Sequence, residues 1–193
     1  MIIKQPCTLL MFSGGLDSLA ALHLLRSQGE HVHVHHMHLH NAEGRAPAEQ
    51  RAVEAIRAYY DQTGRPLEYS ESSFQYPSIN GQFFYDTEVY KFMAGYIASR
   101  APAVKAVAIG RNLDDGFNPA FEARVASGNK ALRAFTDVPV VYPVGHLTKR
   151  ECSALLPPEL RALAWSCRRP IYLHDETRAC GKCKPCKALA NIT

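Results

Sequence analysis

The chain has 193 residues, 47% apolar and 21% charged, which at roughly 150 residues per domain is one globular domain with a small appendage at most. No apolar stretch approaches the roughly 18 to 20 residues of a membrane span, and Met1-Ile2-Ile3-Lys4-Gln5-Pro6 lacks the apolar centre of a signal peptide, so a cytoplasmic protein is expected. Lys plus Arg number 22 against 18 Asp plus Glu, a formal +4 that suits an anionic substrate but is too weak to identify a nucleic-acid binder.

Residues 7–12 form a short apolar run that ends in Ser13-Gly14-Gly15, after which Leu16, Leu19, Ala20, Leu22 and Leu25 recur at helical spacing up to Gly29. This predicts strand, glycine loop and helix. Alternation over 31–37 predicts a second strand. A helix over 48–63 is stopped by Gly64 and Pro66, and a third strand is expected over 67–73. After a polar, turn-rich stretch, Asp86 caps a helix running through Val89, Met93 and Ile97, and 104–110 reads as a fourth, buried strand. A helix over 119–127, a fifth strand over 138–141 and a helix over 149–155 capped by Thr148 complete the series. Strands alternating with helices, several of them apolar enough for burial on both faces, predict a doubly wound α/β fold with a five-stranded parallel sheet. The expected division is an α/β domain over 1–160 and a small C-terminal segment over 161–193. That tail, without periodic apolar residues, cannot form a core alone.

Ser13-Gly14-Gly15-Leu16-Asp17-Ser18 stands where the first strand turns into the first helix, so backbone N–H groups and the helix N-terminus face whatever sits there. An anion is the natural occupant. The glycines allow close approach, Ser13 and Ser18 offer hydroxyls, and Asp17 is suited to hold a divalent cation against phosphate oxygens. Neither a Walker loop nor a dinucleotide fingerprint is present. Gly110-Arg111-Asn112-Leu113-Asp114-Asp115 leaves the fourth strand at the same edge. Asp114 and Asp115 are candidates to orient Mg²⁺ or an attacking group, or else serve as turn and helix caps.

Cysteine placement says more than the count of six. Cys180, Cys183 and Cys186 lie in one short run with Cys167 upstream, which in a reducing compartment reads as a metal site rather than a disulfide framework. Four thiolates are what a closed tetrahedral Zn²⁺ site needs. Unliganded thiols and an iron–sulfur cluster are the alternatives. Six of the nine histidines fall between His31 and His40. His31, His33 and His35 share one strand face and His36, His38 and His40 the other, as a second metal site or as a solvated or partly packed strand end. Phe83, Phe84, Tyr85, Tyr90, Phe92 and Tyr96 form an aromatic patch whose roles range from helical core to lid, stacking surface or dimer contact.

The loop resembles the Ser-Gly-Gly-x-Asp-Ser signature of the PP-loop ATP pyrophosphatases, which cleave ATP between the α and β phosphates and adenylate a substrate oxygen. The resemblance implies strand order 3-2-1-4-5, ATP across the carboxyl edge of the sheet and Mg²⁺ bridging the phosphates. It places Thr148 and Lys149 at the phosphates, Met37 and His38 beside the adenine, Gly110 in the nucleotide site, and Asp115 where relatives carry an acidic residue. With the Trp165-Ser166-Cys167 and Cys180-Gly181-Lys182-Cys183-x-x-Cys186 pattern added, the chain is similar to the 7-cyano-7-deazaguanine synthase family. That family converts 7-carboxy-7-deazaguanine to the nitrile with ATP and ammonia, on the route to queuosine-type tRNA or deazaguanine-modified DNA. Three segments depart from its pattern: 38–45, 81–86 and 116–122, the last standing where the family reads its base. Two other readings therefore stay open, an adenylating enzyme with a tRNA, DNA or protein-terminus acceptor and a nonenzymatic zinc-containing nucleic-acid-binding module. Direct nucleic-acid contact is not required by the first reading, and a homodimer remains open.

Overall fold

The computed structural model describes residues 3–75, 86–116, 119–174 and 176–192. Its centre is a parallel sheet of β1 (Cys7–Phe12), β2 (Val32–His40), β3 (Glu68–Gln75), β4 (Val104–Ile109) and β5 (Val140–Val141), in the order β3-β2-β1-β4-β5. Every residue of β1 is buried, because helices cover both of its faces. Leu10 and Phe12 enter one core with α1 (Leu16–Ser27), α2 (Ala46–Gln62), α5 (Lys149–Ala154) and α6 (Pro158–Arg161). Leu9 and Met11 enter the other, with α3 (Asp86–Arg100) and Leu132 of α4 (Pro119–Arg133). The alternation of side chains along one strand thus feeds two cores.

The chain leaves β1 for a helix on one face and β4 for a helix on the other, so the crevice between their carboxyl ends is the topological switch point where such sheets bind ligands. Four boundaries differ from the sequence expectation. β2 runs on to His40. β3 is a half-exposed edge strand shifted to Glu68–Gln75. The expected fifth strand shrinks to Val140–Val141, and α4 continues to Arg133 instead of stopping at 127. Gly128 is not a helix stop. A Cβ there would lie 2.8 Å from Cδ of Lys91, so the glycine makes room for that side chain between α3 and α4.

The C-terminal segment adds a two-stranded antiparallel hairpin, β6 (Ile171–Tyr172) and β7 (Thr177–Arg178), and α7 (Lys184–Ala190). Leu163, Ala164, Leu189 and Ile192 pack against the first core. Among the described residues no helix is long and apolar enough to cross a membrane.

Candidate functional site

The Ser13-Gly14-Gly15 turn carries the chain from β1 into α1. Gly14 has φ +74°, a left-handed conformation that other residues adopt only under strain, and a Cβ there would stand 3.0 Å from Val53 Cγ2. Gly15 is the N-cap of α1 and offers no side chain to its orphan N–H groups. Ser18 Oγ donates to the Gly15 carbonyl (3.0 Å) and lies 3.2 Å from Ser13 Oγ, which also accepts the Gly15 N–H (3.3 Å). Leu16 is buried at the first helical position.

Asp17 follows at the second position, and two side chains from distant sequence converge on it. Lys149 Nζ lies 2.8 Å from Oδ2 and 3.1 Å from Oδ1, and Asn112 Nδ2 donates to Oδ1 (2.9 Å). Lys149 is buried rather than a solvated helix residue. Its position is set by α5, whose N-cap Thr148 forms a reciprocal capping box with Glu151. The Lys149 backbone N–H in turn donates to Asp114 Oδ2 (2.7 Å). Asn112 was not singled out from the sequence. It caps the short 3₁₀ turn Leu113–Asp115, accepting the Asp114 N–H (2.8 Å), while its own N–H donates to Asp115 Oδ2 (3.2 Å). Asp114 and Asp115 therefore both carry capping contacts. Burial, and then the Asp17 carboxylate, push the Asp115 carboxyl above its ordinary value. A buried carboxyl disfavoured by a neighbouring carboxylate is relieved by a divalent cation beside it.

Gly110 has a steric role. A Cβ there would sit 2.5 Å from both Cα and N of Ser18, so the exit of β4 lies directly against the first turn of α1. Met37 is fully buried in the second core, so its side chain does not face the sheet edge and only its backbone is left to serve a base there. Phe83, Phe84 and Tyr85 of the aromatic patch lie outside the described residues. Of the rest, Tyr90 is buried, while Phe92 and Tyr96 are exposed and pack edge-on to Phe135.

The histidines form a partly packed strand end, with His33, His35 and His36 buried, His31 and His38 half-buried and His40 exposed. His33 Nε2 and His35 Nδ1 both lie 2.8 Å from Ser70 Oγ, and His35 Nε2 lies 2.9 Å from Ser72 Oγ. On the opposite face His36 Nδ1 lies 2.8 Å from the Phe12 carbonyl, and His36 and His38 meet edge to face. His33, His35 and His36 are all buried, and burial holds the His35 and His36 imidazoles down at about 4.

Among the described residues one group offers converging metal ligands: Cys167, Cys180, Cys183 and Cys186, whose sulfurs all lie within 4.8 Å of one another. Backbone N–H groups of Lys182 and Cys183 point at Cys180 Sγ and lower its thiol to about 6, so it readily supplies a thiolate. Cys167 accepts the Cys180 N–H (3.2 Å), though burial pushes its own thiol up. Beside this group, Arg45 is bound to Glu43, Glu49 and Asp86, and Arg168 reaches Asp86 and Glu43. These ion pairs tie the cysteine segment to the N-terminal ends of α2 and α3.

The chain thus folds as a five-stranded parallel sheet in the order 3-2-1-4-5, with a glycine loop and a carboxylate–lysine pair at its switch point, and this fold is found among known structures. A solved structure with that likeness is the U34-tRNA thiolase NcsA from Methanococcus maripaludis with its [4Fe-4S] cluster. The likeness covers 100% of this chain at TM-score 0.55 and 17% identity, and this chain spans 66% of that one. No family model matches the chain. No curated protein matches it.

Proposed function

We propose that this protein is an ATP-cleaving, adenylate-forming enzyme of the PP-loop kind. The observation that carries the reading is the convergence of Lys149, Asn112 and Asp17 on the mouth of the Ser13–Ser18 loop at the switch point. The N–H groups of the loop and the first turn of α1, with the Ser13 and Ser18 hydroxyls, are suited to hold the phosphates. Lys149 and Thr148 complete that wall, and Lys149 counters phosphate charge. Asp17 and Asp115 are the residues that would hold Mg²⁺, which when bound neutralises the phosphate oxygens. Gly110 lets the wall close by keeping β4 against α1.

For the acceptor, we infer 7-carboxy-7-deazaguanine, from the paired resemblance of loop and cysteine spacing. Attack of its carboxylate oxygen on the α-phosphorus of ATP releases pyrophosphate and leaves an acyl adenylate. Ammonia displaces AMP to give the amide. A second ATP adenylates the amide oxygen with release of pyrophosphate and one N–H proton, and loss of AMP and the remaining N–H proton leaves the nitrile. The chain's own work in this sequence is to hold phosphates and cation and to exclude water.

Zn²⁺ fits the four thiolates better than a cluster does. With Zn–S bonds of about 2.3 Å, sulfurs around one tetrahedral ion stand about 3.8 Å apart. Here Cys180–Cys186 and Cys167–Cys183 are 4.0 Å and Cys183–Cys186 is 3.3 Å. A cubane with one iron per thiolate spreads its ligands wider.

The second reading, adenylation of a tRNA base, is favoured by the thiolase likeness and by charge placement. From residue 165 onward the sequence holds six cations, Arg168, Arg169, Arg178, Lys182, Lys184 and Lys187, against two acidic residues, Asp175 and Glu176, a formal +4 equal to that of the whole chain.

The test is to incubate zinc-loaded protein with ATP, Mg²⁺, ammonia and the deazaguanine acid, following products by mass spectrometry. Nitrile with AMP and pyrophosphate supports the first acceptor. Unchanged acid, with AMP formed only when tRNA is added, transfers the assignment to the second.

A further inference from the structure

Three consecutive residues join the loop to the cysteine group. Trp165 donates its backbone N–H to the Gly14 carbonyl (2.9 Å), Ser166 Oγ accepts the Leu16 N–H (3.2 Å), and Cys167 supplies one of the four sulfurs. The Trp165 indole N–H closes the strap on the Cys167 carbonyl (3.0 Å). A Cβ at Gly15 would lie 3.4 Å from the Trp165 carbonyl oxygen and 3.6 Å from Ser166 Oγ, so the strap rests directly on the loop. Beyond Cys167, Arg168 is anchored on Asp86 and Glu43.

Leu16 N–H is the first donor of α1, and the helix's own N-cap, Gly15, brings no side chain to it. The cap comes from Ser166, 150 residues away. Because the hydroxyl accepts from Leu16, its own proton is left to donate into the mouth of the loop. A donor there, beside the Ser13 and Ser18 hydroxyls, complements a phosphate oxygen and adds to the N–H groups of the turn. What fixes that hydroxyl is its neighbour. Cys167 is 3% exposed and in contact with the three other cysteines, so a metal bound by the four sulfurs pins the strap one residue from Ser166.

We propose that Ser166 is a phosphate-contacting hydroxyl of the nucleotide site and that metal at the four cysteines sets its position, making nucleotide affinity depend on metal occupancy. The inference rests on the nucleotide reading above. With the sulfurs unliganded, binding has to order the strap as well as the nucleotide, and that entropy comes out of affinity.

Trp165, the chain's single tryptophan, is a built-in reporter. Calorimetric titration with Mg-ATP, with Trp165 emission followed in parallel, compares four samples: zinc-loaded wild type, zinc-loaded Ser166→Ala, zinc-loaded Ser166→Thr, and wild type stripped by chelation. Ser166→Ala is expected to bind about tenfold more weakly, the loss of one charge-assisted hydrogen bond, and Ser166→Thr to recover most of it. The stripped protein is expected to bind at least tenfold more weakly, with emission altered before any nucleotide is added, and Zn²⁺ to restore both. Wild-type affinity in Ser166→Ala overturns the role of the hydroxyl, and wild-type affinity in the stripped protein overturns the coupling. If stripping unfolds the chain, amide exchange at Leu16 at partial zinc occupancy replaces it, and exchange independent of occupancy refutes the coupling. Zinc-loaded wild type that gives no heat with Mg-ATP removes the nucleotide reading itself, an outcome distinct from both.

Discussion

Acidification should destabilise the fold through two buried imidazoles. His35 and His36 are 3% and 0% exposed, and burial lowers both from the ordinary 6.5 to about 4. Each binds protons less readily folded than unfolded, so its contribution is intact above pH 6.5 and is lost as pH falls through the window from 6.5 to 4. Worked at pH 5, that shift removes about 2 kcal/mol for each imidazole relative to pH 7.5. The contacts explain the sign. His36 donates through Nδ1 to the Phe12 carbonyl and its Nε2 is buried without a partner, so a second proton there has no acceptor. His35 sits between Ser70 and Ser72, with His33, His36 and His38 as further positive neighbours once charged and only Glu71 to oppose them. The assay is urea unfolding of wild type and the double variant His35→Gln, His36→Asn at pH 7.5, 6 and 5. Both substitutions are neutral amides that keep a hydrogen-bonding group. Other titrating residues act equally on the two proteins, so the measured quantity is the difference between the profiles. Wild type should lose about 4 kcal/mol more than the variant between pH 7.5 and 5. Parallel profiles would refute the assignment of these side chains as buried and neutral.

Gly110→Ala forces a Cβ to within 2.5 Å of the Ser18 backbone, which no side-chain adjustment relieves. A loss of about 2 to 3 kcal/mol is expected, lowering Tm by several degrees and weakening Mg-ATP binding with it; a variant with unchanged Tm contradicts the close packing. Lys149→Met leaves Asp17 with Asn112 alone. Because the two side chains are only 11% and 20% exposed, the carboxylate left behind is largely desolvated and stability should fall by about 3 kcal/mol while nucleotide binding is lost, and calorimetry on the folded variant that registers normal Mg-ATP binding counts against the proposed phosphate wall. Metal analysis of freshly purified protein should return one zinc per chain without acid-labile sulfide. Four irons with visible absorbance would instead mean that the sulfurs spread to hold a cluster.

What the sequence conveyed depended on how local the deciding contact is. The β1 run, the glycine loop and the cysteine spacing were legible because each works through neighbours a few residues away. The partner of Asp17 was not, since Lys149 lies 132 residues on and reaches it only once α5 docks beside α1. Asp114 and Asp115 read as cation-orienting carboxylates or as turn and helix caps; the capping contacts are present, and that of Asp114 depends on the position of a helix 35 residues away. Alternation correctly separated the two histidine faces. Their partners, Ser70 and Ser72, follow from a parallel register that pairs His35 with Ser70, which a lone strand does not reveal. The helix expected over 119–127 runs on to Arg133 through Gly128, whose reason is the space Lys91 needs on a different helix, a contact that the local sequence does not show.

The ion group that holds the cysteine segment works against the histidines as pH changes. Two guanidiniums, Arg45 and Arg168, face three carboxylates, Glu43, Glu49 and Asp86, which leaves one negative charge in surplus. Glu49 is the most buried of the three, and burial outweighs the attraction of Arg45 to raise its carboxyl to about 7. A proton bound there brings the group to neutrality. Since the folded state holds that proton more tightly than the unfolded chain, its stabilisation is fully present below the ordinary carboxylate value near 4.5 and is lost as pH rises through about 7. Glu49→Gln should therefore flatten the decline between about pH 4.5 and 7 and leave the profile above that window unchanged, with Arg45 still bound by Glu43 and Asp86. Trp165 emission and amide exchange at Leu16 locate the effect, because Arg168 follows Cys167 directly and the strap should loosen first in wild type. Identical profiles between pH 4.5 and 7 would mean that Glu49 is ionised throughout and that the surplus charge is carried elsewhere in the group.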